Sequence, residues 1–194
     1  MYFLFLLVAL STWTVAGPGT EIQSNSTQYW PGVVEDDFEL FSYDGYRLLR
    51  YRSPTPLKSD YARTVTTEQL VQLLQQKPAP ALLDVQPIPW NGVFIEQQPR
   101  LHLPGSMWLP NVGQGEPEER WIDYYRQNLH KLTGGNKNYP LVIYCTADCW
   151  MSWNAVKRAA SLGYSNLYWF RNGTDGWAEY DQPLQRGKPE PFPP

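Results

Sequence analysis

The hydrophobic positions of the chain change repeatedly between two spacings, and this alternation predicts strands and helices in turn. Apolar residues recur every three to four positions, the spacing of a helix, in three stretches: after Thr66, over 117–132 and over 151–162. Short runs dominated by apolar residues are typical of strands buried on both faces of a parallel sheet; they lie at 81–85, 106–109, 142–144 and 167–170. The pattern predicts an α/β fold whose mainly parallel sheet is flanked by helices.

Helix ends are marked by capping residues and by Pro or Gly. Thr66 can cap the first helix, with Gln69 completing a capping box, and Lys77-Pro78 ends it. Gly134-Gly135 ends the second helix. Apolar spacing predicts inward-facing side chains on these two helices: Leu70, Val71, Leu73, Leu74, Trp121, Ile122, Tyr125, Leu129 and Leu132. We expect a long loop at 86–103, and we expect residues 173–177 to close the core.

The N-terminal residues are expected to direct secretion. An apolar run at 1–10 followed by Thr14-Val15-Ala16 is typical of a secretory signal peptide over 1–16, although its start carries no Lys or Arg. An uncleaved anchor or a buried N-terminal helix is the alternative interpretation. After cleavage we expect no stable membrane span, and an oxidising compartment in which cysteines can pair.

The remaining chain divides by composition. Residues 17–63 are predicted to be a flexible lead-in followed by an aromatic-rich N-terminal arm (36–63) packed on the main domain. That single domain covers 64–185, and 186–194 form a C-terminal tail. Nine Trp and thirteen Tyr predict large rigid side chains that line the core or a groove. The net charge of −3, with no basic block, argues against nucleic acid as a partner.

The two cysteines of the chain offer the clearest reactive chemistry. Cys145 follows a predicted strand and Cys149 lies just before a predicted helix. Unpaired N–H groups and the positive dipole end of a helix favour thiolate at such a junction. We therefore expect Cys145 to be a nucleophile and Cys149 its resolving thiol. A structural disulfide fits the same spacing. Two cysteines without a nearby His make a poor zinc site, so no metal is expected.

The residues between and after the cysteines are candidate contacts for a substrate or partner. They are Thr146, Ala147, Asp148 and Trp150. Asp148 is interpreted in one of three ways: it accepts a thiol proton, it tunes the selectivity of the loop for neutral partners, or it serves the following helix as N-cap or first-turn carboxylate. Trp150 either forms an aromatic wall for a planar ligand or packs in the core.

Polar residues after neighbouring strands complete the candidate site. Asp84 and His102 are expected to support the loops structurally, and Arg100 is expected near the opening of the candidate site. Arg171 either supplies an anion contact or belongs to a solvated turn. Carboxyl ends of parallel strands meet at one edge of a sheet, which is where ligands bind in such folds.

Four strings in this order resemble a single rhodanese domain over 64–185. They are LLDVQ, RLHLPGSMWLP, VIYC and LGYSNLYWFRNGTDGW. The strings CTADCWMSWNAVKRAASLGY and NGTDGW resemble a narrower group, the CxxxCW-motif proteins associated with pyrroloquinoline quinone-dependent alcohol catabolism. This resemblance implies a bacterial periplasmic protein with a redox role and no covalently bound cofactor. It also implies a functional link to pyrroloquinoline quinone, and partners among quinoprotein dehydrogenases or cytochrome c components.

The cysteine loop departs from an active rhodanese loop in two ways. Residues 146–151 contain no Arg or Lys and carry Asp148, which would repel thiosulfate or sulfite. The loop is also one residue longer, because the expected small residue arrives as Ser152. The expected function is therefore a redox or sulfur-carrier accessory of alcohol oxidation. A non-enzymatic binding module with a structural disulfide, and a thiosulfate sulfurtransferase, are the alternatives.

Overall fold

The computed structural model describes residues 39–193. Its strands are β1 Arg63–Thr64, β2 Ala81–Asp84, β3 Leu101–His102, β4 Met107–Trp108, β5 Leu141–Tyr144, β6 Leu167–Phe170 and β7 Gln185–Arg186. Its helices are α1 Thr67–Leu74, α2 Glu119–Thr133, α3 Trp150–Ser161 and α4 Gly173–Glu179.

A five-stranded parallel sheet in the order β1-β6-β5-β2-β4 forms the centre of the domain. Register aligns Asp84, Tyr144 and Phe170 at the carboxyl ends of β2, β5 and β6. Every residue of β5 and β6 is buried, as expected for strands covered on both faces. The predicted α/β fold with a mainly parallel sheet is confirmed.

The strand pleat divides the core between two faces of the sheet. Val142 and Tyr144 of β5 face one side, where they join a cluster with Leu70 of α1 and Trp177 of α4. On the other side, the indole Nε1 of Trp169 donates to Ser152 Oγ of α3 at 3.0 Å. The helices therefore sandwich the sheet, and the loops after β2, β5 and β6 emerge together at one edge.

The helix boundaries agree with most of the capping signals. Thr66 and Gln69 form the predicted capping box at the start of α1. Gly134 ends α2 in the left-handed conformation, with φ 61°. Trp121, Tyr125 and Leu129 of α2 are buried as predicted, and so is Tyr124, which the apolar spacing did not select. Ile122 and Leu132 were predicted to face inward but are only half-buried.

Two elements, β3 and α4, were not predicted, and the expectation of a loop throughout 86–103 is wrong. Residues 86–103 end in β3, which pairs with β7 in a small antiparallel sheet. Residues 173–177, which were expected to close the core, form the start of α4, and Trp177 is buried in the core. Strands of two residues show no measurable period, and two glycines within five residues disfavour a helix, so local pattern could not reveal either element.

The described part of the arm (36–63) packs on α3. Phe41 meets the Trp150 ring edge-on at a centroid distance of 5.4 Å. The fully buried Asn154 side chain both accepts from Arg47 N at 2.9 Å and donates to Arg47 O at 2.8 Å. Through these two bonds, one side chain of α3 pairs with both backbone groups of Arg47 and holds the arm against the helix.

The predicted signal peptide, and the lead-in up to residue 38, lie outside the described residues. Between residues 39 and 193, no helix is both long and apolar enough to cross a membrane.

Candidate functional site

Cys145 and Cys149 form a disulfide at the carboxyl edge of the sheet. Cys145 follows β5 directly, Cys149 is the N-cap of α3, and their Cα atoms are 6.2 Å apart. Both residues are buried, with exposed fractions of 0% and 2%. The bond closes the short segment 145–149, the cysteine loop, between a buried strand and a buried helix.

Two N–H groups at this loop have protein partners. Ala147 N–H donates to Asp175 Oδ2 at 3.1 Å, and Trp150 N–H donates to Tyr51 O at 2.9 Å. The expectation that unpaired N–H groups surround Cys145 is therefore wrong for these two donors. The arm and α4 occupy positions at which a bound anion would otherwise accept.

Asp148 fastens the cysteine loop to the arm. Its backbone is left-handed, with φ 48°. Its Oδ1 accepts from Arg171 Nη2 at 2.9 Å, and from the N–H and hydroxyl of Thr55 at 3.2 and 3.3 Å. It makes no capping bond to α3, so the capping interpretation is wrong. Its charge is paired with Arg171, which offsets the predicted repulsion of anions.

Arg171 joins three segments instead of lying in a solvated turn. Besides Asp148, its guanidinium donates to Pro56 O at 3.0 Å and to Thr55 O at 3.3 Å. Arg171 follows β6 and precedes α4, so one side chain connects the sheet edge, the arm and the cysteine loop.

Trp150 is enclosed between the arm and α3. It is 2% exposed, its Nε1 donates to Pro54 O at 3.2 Å, and its ring lies 5.5 Å from that of Trp153. This burial favours the packing interpretation over an open aromatic wall.

Asp84 and Arg100 form a two-point ion pair beneath the cysteine loop. Arg100 Nε donates to Asp84 Oδ2 at 2.7 Å and its Nη2 to Oδ1 at 3.1 Å, while Gln86 N–H donates to Oδ1 at 2.9 Å. Arg100 also reaches Cys145 O at 3.4 Å. His102 Nδ1 lies 3.6 Å from Asp84 Oδ2. Asp84 and His102 thus both lie under the loop, with Arg100 connecting Asp84 to the cysteine backbone.

Two close approaches fix the position of the sulfur of Cys145. Its Sγ lies 3.1 Å from Gln86 Oε1 and 3.9 Å from Thr146 Oγ1. At Gly173, φ is 54°, and a Cβ there would stand 2.4 Å from Cys145 O. Only glycine allows α4 to begin this close to the cysteine loop.

A family model of the rhodanese-like domain matches residues 66–180. The chain belongs to the rhodanese-like domain family. No curated protein sequence matches it.

Several solved structures are similar to this rhodanese-like domain. Thiosulfate sulfurtransferase from Pseudomonas aeruginosa is 18% identical, with a TM-score of 0.48, and the match covers 69% of this chain and 22% of that chain. The Alr3790 protein from Anabaena sp. is 19% identical over 62% of this chain and 90% of its own, with a TM-score of 0.44. The polysulfide-sulfur transferase homodimer from Wolinella succinogenes is 16% identical over 64% and 79%, with a TM-score of 0.43.

In this rhodanese-like domain a cation reaches the cysteine loop from the arm. Arg52 lies opposite Cys149 in an isolated antiparallel bridge. Its guanidinium donates to Thr146 Oγ1 and, at 2.5 Å, to Ala147 O. Sequence reasoning missed Arg52 because it precedes the loop by more than ninety residues, and no local pattern links the two segments.

No group of three or more His, Cys, Asp or Glu side chains suited to a metal ion occurs in the described part of the rhodanese-like domain.

Proposed function

We propose that this rhodanese-like domain performs thiol–disulfide exchange, with Cys145 and Cys149 cycling between disulfide and dithiol. The observation that carries the proposal is the Cys145–Cys149 bond at the carboxyl edge of a parallel sheet, the edge at which α/β folds bind ligands. In the dithiol state the Cys145 thiol can donate to Gln86 Oε1, which lies 3.1 Å from its sulfur.

Exchange proceeds in two balanced steps. A substrate thiolate attacks Sγ of Cys145, the disulfide breaks, and its electron pair stays on Sγ of Cys149 as thiolate. A second substrate thiolate then attacks the substrate sulfur of the mixed disulfide; the bond to Cys145 breaks, its electron pair stays on Sγ of Cys145 as thiolate, and the substrate disulfide leaves. Two thiols are oxidised and the protein disulfide is reduced. The reverse sequence, driven by a disulfide, restores the bond.

Access to the sulfurs requires local opening of the arm. Residues 51–56 bond to Thr146, Ala147, Asp148 and Trp150, and both cysteines are buried beneath the surrounding segments. The bonds that residues 51–56 make to this region are exposed or partly buried, and segments held in this way open locally at a lower cost than global unfolding. Arm opening therefore precedes attack and limits which thiols react.

The cellular setting is part of the proposal. The Cys145-x-x-x-Cys149-Trp150 string supports membership in the CxxxCW group, and the apolar run at 1–10 supports secretion to a bacterial periplasm. There the domain would serve pyrroloquinoline quinone-dependent alcohol oxidation as a redox or sulfur-carrier accessory. A quinoprotein dehydrogenase or a cytochrome c component would be its partner, and pyrroloquinoline quinone would be the partner's cofactor.

Redox titration of the folded protein tests the exchange function. The fraction of dithiol is measured by thiol trapping and mass spectrometry across dithiothreitol buffers. Structural disulfides of secreted proteins typically have midpoint potentials below about −300 mV. We expect the midpoint of a cycling Cys145–Cys149 pair to lie above that value. A bond that stays intact at lower potentials would refute cycling. It would show a structural disulfide, as the second candidate, a non-enzymatic binding module, requires; the burial of both cysteines favours that candidate.

Sulfur transfer is a further candidate because Arg52 brings a cation to the loop from outside it. Thiocyanate formation from thiosulfate and cyanide, compared with Cys145→Ser, measures this activity. A rate equal to that of the variant excludes it.

A further inference from the structure

The C-terminal tail (186–194) places its one aromatic side chain, Phe192, in a cluster of other aromatic rings. The centroid of the Phe192 ring lies 4.0 Å from that of Trp121, 5.0 Å from that of Tyr124 and 5.4 Å from that of Trp90. Trp121 and Tyr124 belong to α2, whereas Trp90 belongs to the segment that leaves β2. Phe192 therefore joins this segment to α2.

Backbone hydrogen bonds fix the path of the tail toward this cluster. Gly187 N–H donates to Arg100 O at 2.8 Å, beside the pairing of β7 with β3. Glu190 N–H donates to Trp108 O at 2.9 Å, and the Tyr124 hydroxyl donates to Glu190 O at 2.7 Å. The tail thus runs from β3 past β4 to α2.

The side chains of the tail attach it mainly through Phe192. The ion pair between Lys131 Nζ and Glu190 Oε2, at 2.9 Å, lies mostly in solvent and contributes little. Pro191 and Pro193 restrict the backbone on both sides of the ring, so docking the ring orders few additional torsions. Loss of the Phe192 contacts is therefore the change that would release the end of the tail.

The segment that Phe192 contacts, the 86–100 loop, touches Cys145 at both of its ends. Gln86 Oε1 lies 3.1 Å from Cys145 Sγ, and Arg100 Nη2 lies 3.4 Å from Cys145 O. The bonds of the arm described above reach residues 146–150. Opening of the arm therefore leaves Cys145 in contact with the two ends of the 86–100 loop.

The closed position of the 86–100 loop carries a cost. Within residues 39–193, the indole Nε1 of Trp90 is buried and has no hydrogen-bond partner. A buried donor without an acceptor is unfavourable, and water would satisfy it once the loop opened. Val93 and Ile95 at the tip of the loop are 67% and 43% exposed, so little of the tip is packed. Aromatic packing on Trp90, by Phe192 and Trp121, offsets this cost.

We infer that the tail is a clamp that holds the 86–100 loop closed against Cys145, and that release of the tail makes the disulfide reactive. When Phe192 leaves the cluster, Trp90 loses a ring contact and its N–H gains water, so the loop opens more often. The inference rests on the proposed exchange function and adds its regulation. A partner that binds the Pro-Phe-Pro segment of the tail would activate the disulfide.

Reduction kinetics and hydrogen exchange of the full chain test the clamp. In Phe192→Ala we expect the folded protein to be reduced by dithiothreitol about tenfold faster, because aromatic contacts on Trp90 are lost. The amides of Asn91 and Ile95, which are hydrogen-bonded within the loop, should exchange faster by a similar factor while the amides of β5 and β6 keep their protection. Tyr180→Ala removes a 45% exposed ring outside the cluster and should leave all of these rates unchanged.

A double-mutant cycle shows whether Phe192 acts through the 86–100 loop. Trp90→Ala removes the ring of the loop that Phe192 contacts and should also accelerate reduction. If the two rings act as one contact, Phe192→Ala/Trp90→Ala is reduced less than the product of the two single accelerations predicts. Independent effects, in which the accelerations multiply, would overturn the clamp.

The outcomes separate the clamp from the exchange function beneath it. Faster exchange of the loop amides with an unchanged reduction rate overturns the regulation and leaves thiol–disulfide exchange intact. Equal acceleration of the β5 and β6 amides identifies general destabilisation and also overturns the clamp. If dithiothreitol fails to reduce the wild type and every variant while they are folded, exchange and its regulation both fail.

Discussion

The carboxylate of Asp148 and the guanidinium of Arg171 meet at 2.9 Å, and this pair closes the arm over the cysteine loop. Asp148 also accepts from the N–H and the hydroxyl of Thr55, and Arg171 also donates to the Thr55 carbonyl. The pair is partly exposed, so its direct contribution to stability is about 0–1 kcal/mol. Its importance lies in where it acts, at the entrance to the disulfide.

Removing the Asp148 side chain should make the disulfide easier to reduce. Asp148→Gly keeps the left-handed backbone but deletes the acceptor for Arg171 and Thr55. We expect arm opening to become easier by about 1–2 kcal/mol, which accelerates reduction by dithiothreitol roughly fivefold to thirtyfold. Asp181→Gly, at an exposed position with φ 52°, is the matched control and should react at the wild-type rate. Equal rates in the two variants would show that Asp148 does not hold the arm.

Breaking the disulfide should weaken the fold without abolishing it. The closed loop is short, so the chain-entropy effect of the cross-link is about 2 kcal/mol. We expect Cys145→Ser/Cys149→Ser to unfold in urea with a free energy lower by that amount and with an unchanged m-value. A variant without a cooperative transition would indicate that the bond is required for folding, which argues against cycling.

Deleting the buried carboxylate of Asp84 should be far more costly. Asp84→Ala leaves Arg100, whose side chain is 11% exposed, without its ion-pair partner. An uncompensated buried charge destabilises a fold by about 3–5 kcal/mol. Glu119→Ala, which removes an exposed partner of Arg126, should cost less than about 1 kcal/mol. Urea denaturation compares the two, and similar losses would contradict a supporting role for Asp84.

A methyl group at Gly173 should displace the cysteine loop. Its Cβ would stand 2.4 Å from Cys145 O and 2.7 Å from Thr146 C, in addition to the strain at φ 54°. Gly134 has a similar φ of 61° and open space around it, so Gly134→Ala carries only the backbone strain of about 1–2 kcal/mol. We expect Gly173→Ala to lose at least twice as much stability and to alter the reduction rate. The expectation fails if both variants lose the same free energy and reduce alike.

The spacing of apolar residues predicted the strands and helices whose formation depends on residues close together in the sequence. The strand at 142–144 and the helix after it placed Cys145 at the sheet edge, because buried strands and amphipathic helices have distinct spacings. The interpretation of Asp148 as a helix cap was wrong because a partner distant in sequence, Thr55, binds its carboxylate. Arg52 was missed for the same reason. Contacts across ninety residues depend on how the arm docks, which no window of sequence encodes.

Contact between the arm and the cysteine loop also sets an order of events during folding. Arg52 and Thr146 are separated by 94 positions, so the arm cannot dock until β5 and α3 have formed. A chain that emerges N-terminus first therefore exposes both thiols to an external oxidant before the arm covers them. We therefore expect oxidation to be fastest before the arm docks, because docking buries both sulfurs.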